Sequence, residues 1–94
     1  MKRILLLLLL CSTTLLMAQQ TDPIQEAMAS YDYETALSLI AQKKPATPLL
    51  LQKGKALRSL GLNAEALSTY QEIIANDTAN TRAYIEAAEC CRSL

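Results

Sequence analysis

The sequence predicts an all-α protein built of antiparallel helical hairpins stacked in a row, and three observations carry that expectation. From Asp22 onward Ala, Leu, Glu, Gln and Lys dominate and β-branched runs are few, a composition of good helix formers. Breakers recur at Tyr31-Asp32, at Lys44 to Pro48, at Gly61-Leu62-Asn63 and at Asn76 to Asn80. Within "GLNAEALSTYQEIIAND" at 61–77, Ala66, Tyr70 and Ile73 fall four and then three apart, which lines them up on one helical face.

The breakers leave five helices, near 22–30, 33–43, 48–60, 64–76 and 80–93. Thr47 is expected to cap the third, with Pro48 at the first helical position, where its missing N–H removes no hydrogen bond. Asn63 is expected to cap the fourth and Asn80 the fifth. Gly61 ends the third helix, since a residue there must tolerate positive φ, and Leu62 folds back towards Leu57 or Ala56 as a Schellman-type stop. Short connections make neighbours antiparallel.

The 94-residue chain opens "MKRILLLLLLCSTTLLMAQQ". Lys2 and Arg3 ahead of an apolar run from Ile4, then Met17-Ala18 before polar residues, form the pattern of a secretory signal peptide over 1–18, a leader helix ahead of the domain, with cleavage expected after Ala18. The apolar stretch is short and is interrupted by Ser12, Thr13 and Thr14, whereas a bilayer span needs about 20 apolar residues. Cys11 ends the leucine run, but Leu9 and Leu10 stand where a lipoprotein signal carries small residues. Membrane attachment is therefore expected only if Cys11 is lipidated or the leader is retained. Without residues 1–18 the chain keeps seven basic against nine acidic groups, an excess of two negative charges, which argues against nucleic acid as a partner.

Self-comparison places "YDYETALSLI" on "GLNAEALSTY", with Tyr31 on Gly61, Ala36 on Ala66, Leu37 on Leu67 and Ile40 on Tyr70, an offset of 30; Leu50 and Tyr84 are offset by 34. A period of 34 is that of the tetratricopeptide repeat. The order Leu50, Gly54, Leu57, Gly61, Ala66, Tyr70, Ile73, followed by Tyr84, Ala87, Ala88 and Cys91, resembles that family. The resemblance covers about 22–94 and divides the domain at 19–94 into a degenerate repeat at 22–46, a good one at 47–80 and a half repeat at 81–94. Lys53 stands where a leucine is expected, its alkyl stem able to lie along apolar surface, and Thr78 where a proline is usual. The offset of 30 implies either a shortened second helix or a tight connection between Lys43 and Pro48.

Chemistry is sparse. The chain has no His, and its only glycines are Gly54 and Gly61, so the commonest general base and any Gly-rich phosphate loop are absent. Glu86 and Glu89 are read as charges on a solvated face, and the adjacent Cys90 and Cys91 as packing residues rather than metal ligands. No catalytic residue, metal or cofactor is expected. "NDT" at 76–78 and "DTA" at 77–79 fit glycosylation acceptors at Asn76 and Thr78 but read equally as an inter-repeat turn with Asp77 and Asn80 as caps.

The resemblance implies a stacked solenoid whose first helix in each repeat lines a concave, peptide-binding surface. Matching positions are Leu51, Lys55 and Arg58 and, one repeat on, Ile85, Glu89 and Arg92, with Arg82 at the helix start. Cations around two apolar residues suit an extended segment carrying carboxylates. The pattern differs from the asparagine-containing clamp by which some members of that family hold C-terminal carboxylates. The expected role is thus a non-catalytic exported scaffold for a protein or peptide in the periplasm or envelope of a Gram-negative bacterium. The alternative is the sensor or adaptor portion of a larger envelope enzyme or regulator. Tyr84, Ala87, Ala88 and Cys91 are expected to meet the fourth helix, while Ile85 and Leu94 lack a following partner. The fold is thereby expected to continue beyond Leu94 or to self-associate through the last helix.

Overall fold

The structure is a computed structural model and describes residues 22–94. The expected leader, its cleavage point and Cys11 lie outside the described residues. Five helices follow in order: α1 (Pro23–Ala29), α2 (Tyr33–Ala41), α3 (Thr47–Ser59), α4 (Asn63–Asn76) and α5 (Thr81–Ser93). Among the described residues there is no strand, and no helix is long and apolar enough to cross a membrane. Each helix packs against its neighbours in the chain, α1 on α2, α2 on α3, α3 on α4 and α4 on α5. The helix boundaries lie within two residues of those expected from the breakers.

Capping explains most of the starts. Asp22 accepts the Ile24 amide at 3.0 Å and Asp32 the Thr35 amide at 3.3 Å, while Asn80 accepts the Ala83 amide at 3.0 Å, as its position predicted. Thr47 and Asn63 do not cap. Thr47 already lies inside α3, behind an extended Ala46 that occupies the cap position, and Asn63 lies inside α4 behind Leu62; neither start has a side-chain cap. Both helices begin one residue earlier than their polar residues suggested, and the Leu50 and Ala66 amides that Thr47 and Asn63 would have capped donate instead to the Ala46 and Leu62 carbonyls at 2.9 and 3.0 Å.

The two hairpin turns share one geometry. Gly61 has φ 78°, its amide donates to the Arg58 carbonyl at 2.9 Å, and the Leu62 amide donates to the Leu57 carbonyl at 2.9 Å, the paired bonds of a Schellman stop. Thirty residues earlier Tyr31 has φ 60°, with Tyr31 donating to Met28 at 3.2 Å and Asp32 to Ala27 at 2.9 Å. The superposition of Tyr31 on Gly61 thus marks a true structural equivalence. A tyrosine is strained in this left-handed conformation by about 1–2 kcal/mol, and its exposed ring makes only an edge contact with Tyr33 at 6.3 Å between centroids. Tyr31→Gly is therefore expected to raise stability by about 0.5 kcal/mol after allowing for the looser unfolded chain, and Gly61→Ala to lower it by about 1 kcal/mol. Urea midpoints that move in the same direction for both variants would contradict this equivalence.

The core runs between α3, α4 and α5: Leu50, Leu57, Ala66, Tyr70, Ile73, Ala83 and Cys90 form one buried cluster, with Leu37, Leu51, Leu67, Ile74 and Ala87 packed against it. The Tyr70 ring lies directly over Gly54, where an added Cβ would come within 2.4 Å of its Cζ. Tyr70 is therefore the residue that needs Gly54 to be small. Of the four residues expected to meet α4, Ala87 does so, alongside Ala83 and Cys90, whereas Tyr84, Ala88 and Cys91 are exposed, which corrects the rest of the face expected from the sequence. The physical reason is visible one repeat earlier. Tyr84, Ala88 and Cys91 correspond to Leu50, Gly54 and Leu57, the positions α3 buries while packing on the helix that follows it. α5 packs instead on the helix that precedes it. Cys91 is accordingly no packing residue, whereas Cys90 is fully buried.

Candidate functional site

The odd-numbered helices share one face. Gln25 and Met28 of α1 and its cap Asp22, whose carboxylate is engaged by the Ile24 amide, border with Leu49 and Gln52 of α3 a depression of about 480 Å³ that also reaches Leu51, Lys55 and Arg82. The same Leu51, Lys55 and Arg82 border a second depression of about 280 Å³, closed on its far side by Arg58, Tyr70 and Glu86. The two hollows are therefore a single groove running from α1 across α3 to α5, with Leu51 common to both halves and Lys55 and Arg82 beside it.

Four of the seven groove residues expected from the sequence, Leu51, Lys55, Arg58 and Arg82, come together here. Ile85, Glu89 and Arg92 do not. Ile85 is 56 % exposed, and Glu89 pairs with Arg92 along its own helix. The carry-over by 34 residues put these three on the edge of α5 that faces away from α3; positions equivalent to Pro48 and Gln52, namely Arg82 and Glu86, are the ones α5 turns to the groove. Gln25 and Met28 were missed, although a signal existed. An offset of 30, already set by the turns, carries Lys55 and Arg58 back onto these two residues.

Glu86 is the other correction. It is not a solvated charge but the ion-pair partner of Arg58, across a sequence separation of 28 and with both side chains partly buried. Burial opposes the charge on Arg58, but the Glu86 carboxylate more than offsets it and raises the guanidinium above its ordinary value. Neutralisation leaves Lys55 and Arg82 as groove cations with no ion-pair partner among the described residues. Burial likewise pushes the Cys90 thiol up, against the pull of Arg58. The described residues contain no cluster of His, Cys, Asp and Glu arranged to hold a metal.

Tyr70 forms the floor between α3 and α5. Burial, reinforced by the Glu86 carboxylate, pushes its phenol up to about 12. A phenol whose folded value lies above its unfolded value of about 10 contributes full stability below pH 10 and loses it as pH rises towards 12. Stability is expected to fall by about 2 kcal/mol across that window, followed by urea unfolding and by tyrosinate absorbance. Tyr70→Phe should remove this part of the fall, and an unchanged profile in that variant would contradict the assignment. Comparison of the chain with family models, with curated proteins and with solved structures returned no match.

Proposed function

We propose that the chain is an exported, non-catalytic scaffold of tetratricopeptide-like hairpins that holds an extended, carboxylate-bearing segment of a protein partner in the groove across α1, α3 and α5. The observation that carries the reading is the contribution of these three helices to one groove. They are the first helices of the repeats at 22–46, 47–80 and 81–94, the helices that line the binding surface in the family the sequence resembles. The leader pattern at Lys2, Arg3 and the leucine run supports export.

Recognition follows from the side chains. Lys55 and Arg82 donate charge-assisted hydrogen bonds to carboxylates, Gln25 and Gln52 meet backbone amides, and Leu51 with Met28 takes one aliphatic or thioether side chain. Pre-formed helices leave little ordering to be done by the receptor. Arg58 serves the groove indirectly: paired with Glu86, it holds α3 to α5 beside Tyr70.

The test is binding of acidic envelope-derived peptides to wild type and to a Lys55→Glu, Arg82→Glu double variant at two salt concentrations. Arg58 is left intact because Arg58→Glu would set two carboxylates against each other. The expected result is an affinity loss of roughly tenfold or more with a reduced salt dependence. Unchanged affinity in the double variant would remove the groove as the site.

A further inference from the structure

A further hollow lies between α2 and α3. Its volume is about 210 Å³, its walls are Leu37, Ile40, Leu49, Leu50 and Pro45, and Lys43, Lys44 and Lys53 stand around it. None of the three lysines has a carboxylate within ion-pair distance among the described residues. Lys53 also borders Glu65 and Glu72 on its other side, and Lys43 borders a neighbouring depression that includes Asp22, so Lys44 is the cation committed to this hollow alone, with Lys43 beside it.

The internal repeat shows what fills the equivalent place elsewhere. With the offset of 30, Leu37, Ile40, Lys43 and Lys44 correspond to Leu67, Tyr70, Ile73 and Ile74; with the offset of 34, Leu49 and Lys53 correspond to Ala83 and Ala87. Between α4 and α5 that place is packed solid, with Ile73 and Ala83 fully buried and Leu67, Ile74 and Ala87 against them. α2 stops at Ala41, whereas α4 runs on to Asn76. The first repeat therefore lacks the helical turn that carries the plug and has lysines where the isoleucines stand. A place shaped for one aliphatic side chain is left open and ringed with positive charge.

We propose that this hollow is a docking site for a partner polypeptide that inserts one isoleucine-like side chain flanked by Asp or Glu. The inserted side chain takes the role Ile73 has in the next repeat, and the flanking carboxylates meet Lys43 and Lys44. The site shares only Leu49 with the groove across α1, α3 and α5, and its occupancy does not depend on that groove.

The experiment is an amide chemical-shift titration of the full chain with a short peptide of core Asp-Glu-Ile-Glu-Asp, the same peptide with Ala for Ile, and sodium octanoate alone. The expected result is perturbation centred on Leu37, Ile40 and Leu50, none of which borders the groove, with the Ala peptide bound about tenfold more weakly. Lys43→Glu, Lys44→Glu, both at exposed positions, should weaken binding by a similar factor and lower its salt dependence. Lys43→Ile, Lys44→Ile should fill the hollow, abolish binding and raise the melting temperature, while Lys55→Glu, Arg82→Glu should leave these perturbations in place. Equal affinity for the Ile and Ala peptides, perturbations confined to the groove, or octanoate binding here as tightly as the Ile peptide would each overturn the proposal.

Discussion

Gly54→Ala is expected to destabilise the protein by about 2–3 kcal/mol, even though the same change in an exposed helix would stabilise it by about 1 kcal/mol. The new Cβ would stand 2.4 Å from Tyr70 Cζ, 2.7 Å from Cε1 and 2.8 Å from the hydroxyl oxygen, and the ring cannot swing clear because Tyr70 is itself almost wholly buried. Either α3 and α4 separate or the ring leaves its rotamer, and both lose contacts in the densest part of the core. The ring is the cause, so its removal must change the sign. In a Tyr70→Leu background, itself less stable, Gly54→Ala should become neutral or stabilising, a coupling of about 3 kcal/mol in a double-mutant cycle. Additive effects of the two substitutions would show that something other than this contact makes residue 54 small.

Period and breakers carried most of the fold. Gly61 was legible because one residue type dominates the left-handed end of a helix, and Tyr31 became legible only through its alignment with Gly61, since a tyrosine gives no hint of positive φ. The offset of 30 left open whether a helix or a connection was short. The structure answers with the helix, since α2 has 9 residues and α4 has 14. Thr47 and Asn63 mark the difficulty of capping arguments: a polar residue near a start can cap or can occupy the first turn, and a single residue of shift decides which.

The groove was half legible for a related reason. A helix that packs on two neighbours has two apolar edges, and the sequence pattern of α5 does not say which edge has a neighbour. Ile85, Glu89 and Arg92 occupy the edge away from α3, and Tyr84, Ala88 and Cys91 the one that has no following helix among the described residues. The pairing of Arg58 with Glu86 lies between different repeats, where side-chain spacing along one helix carries no information; along α5 itself Glu86 and Glu89 look alike. Only the packing of α3 against α4 and of α4 against α5 brings Glu86 to Arg58, beside Tyr70, and leaves Glu89 outside with Arg92.

Ala66→Leu is expected to destabilise the fold by about 1–3 kcal/mol, and Ser68→Leu to change stability by less than about 0.5 kcal/mol. The two positions lie on one helix and receive the same side chain; leucine loses a few tenths of a kcal/mol of helix propensity relative to alanine and gains a few tenths relative to serine, less than the contrast expected, so burial dominates the difference. Ala66 has no exposed surface and sits in the cluster with Leu57, Tyr70 and Ile73. Three further side-chain carbons there must displace one of these neighbours, and the neighbour closest to its own limit is Tyr70, already pressed on Gly54. Ser68 is exposed, and its hydroxyl donates only to the Ala64 carbonyl at 3.3 Å, a bond that water replaces when leucine removes it. Thermal and urea unfolding of both variants reads the contrast directly. Equal midpoints would mean that α4 does not present Ala66 to the core, and the equivalence of Ala66 with the fully buried Ala36 of α2 would fall with it.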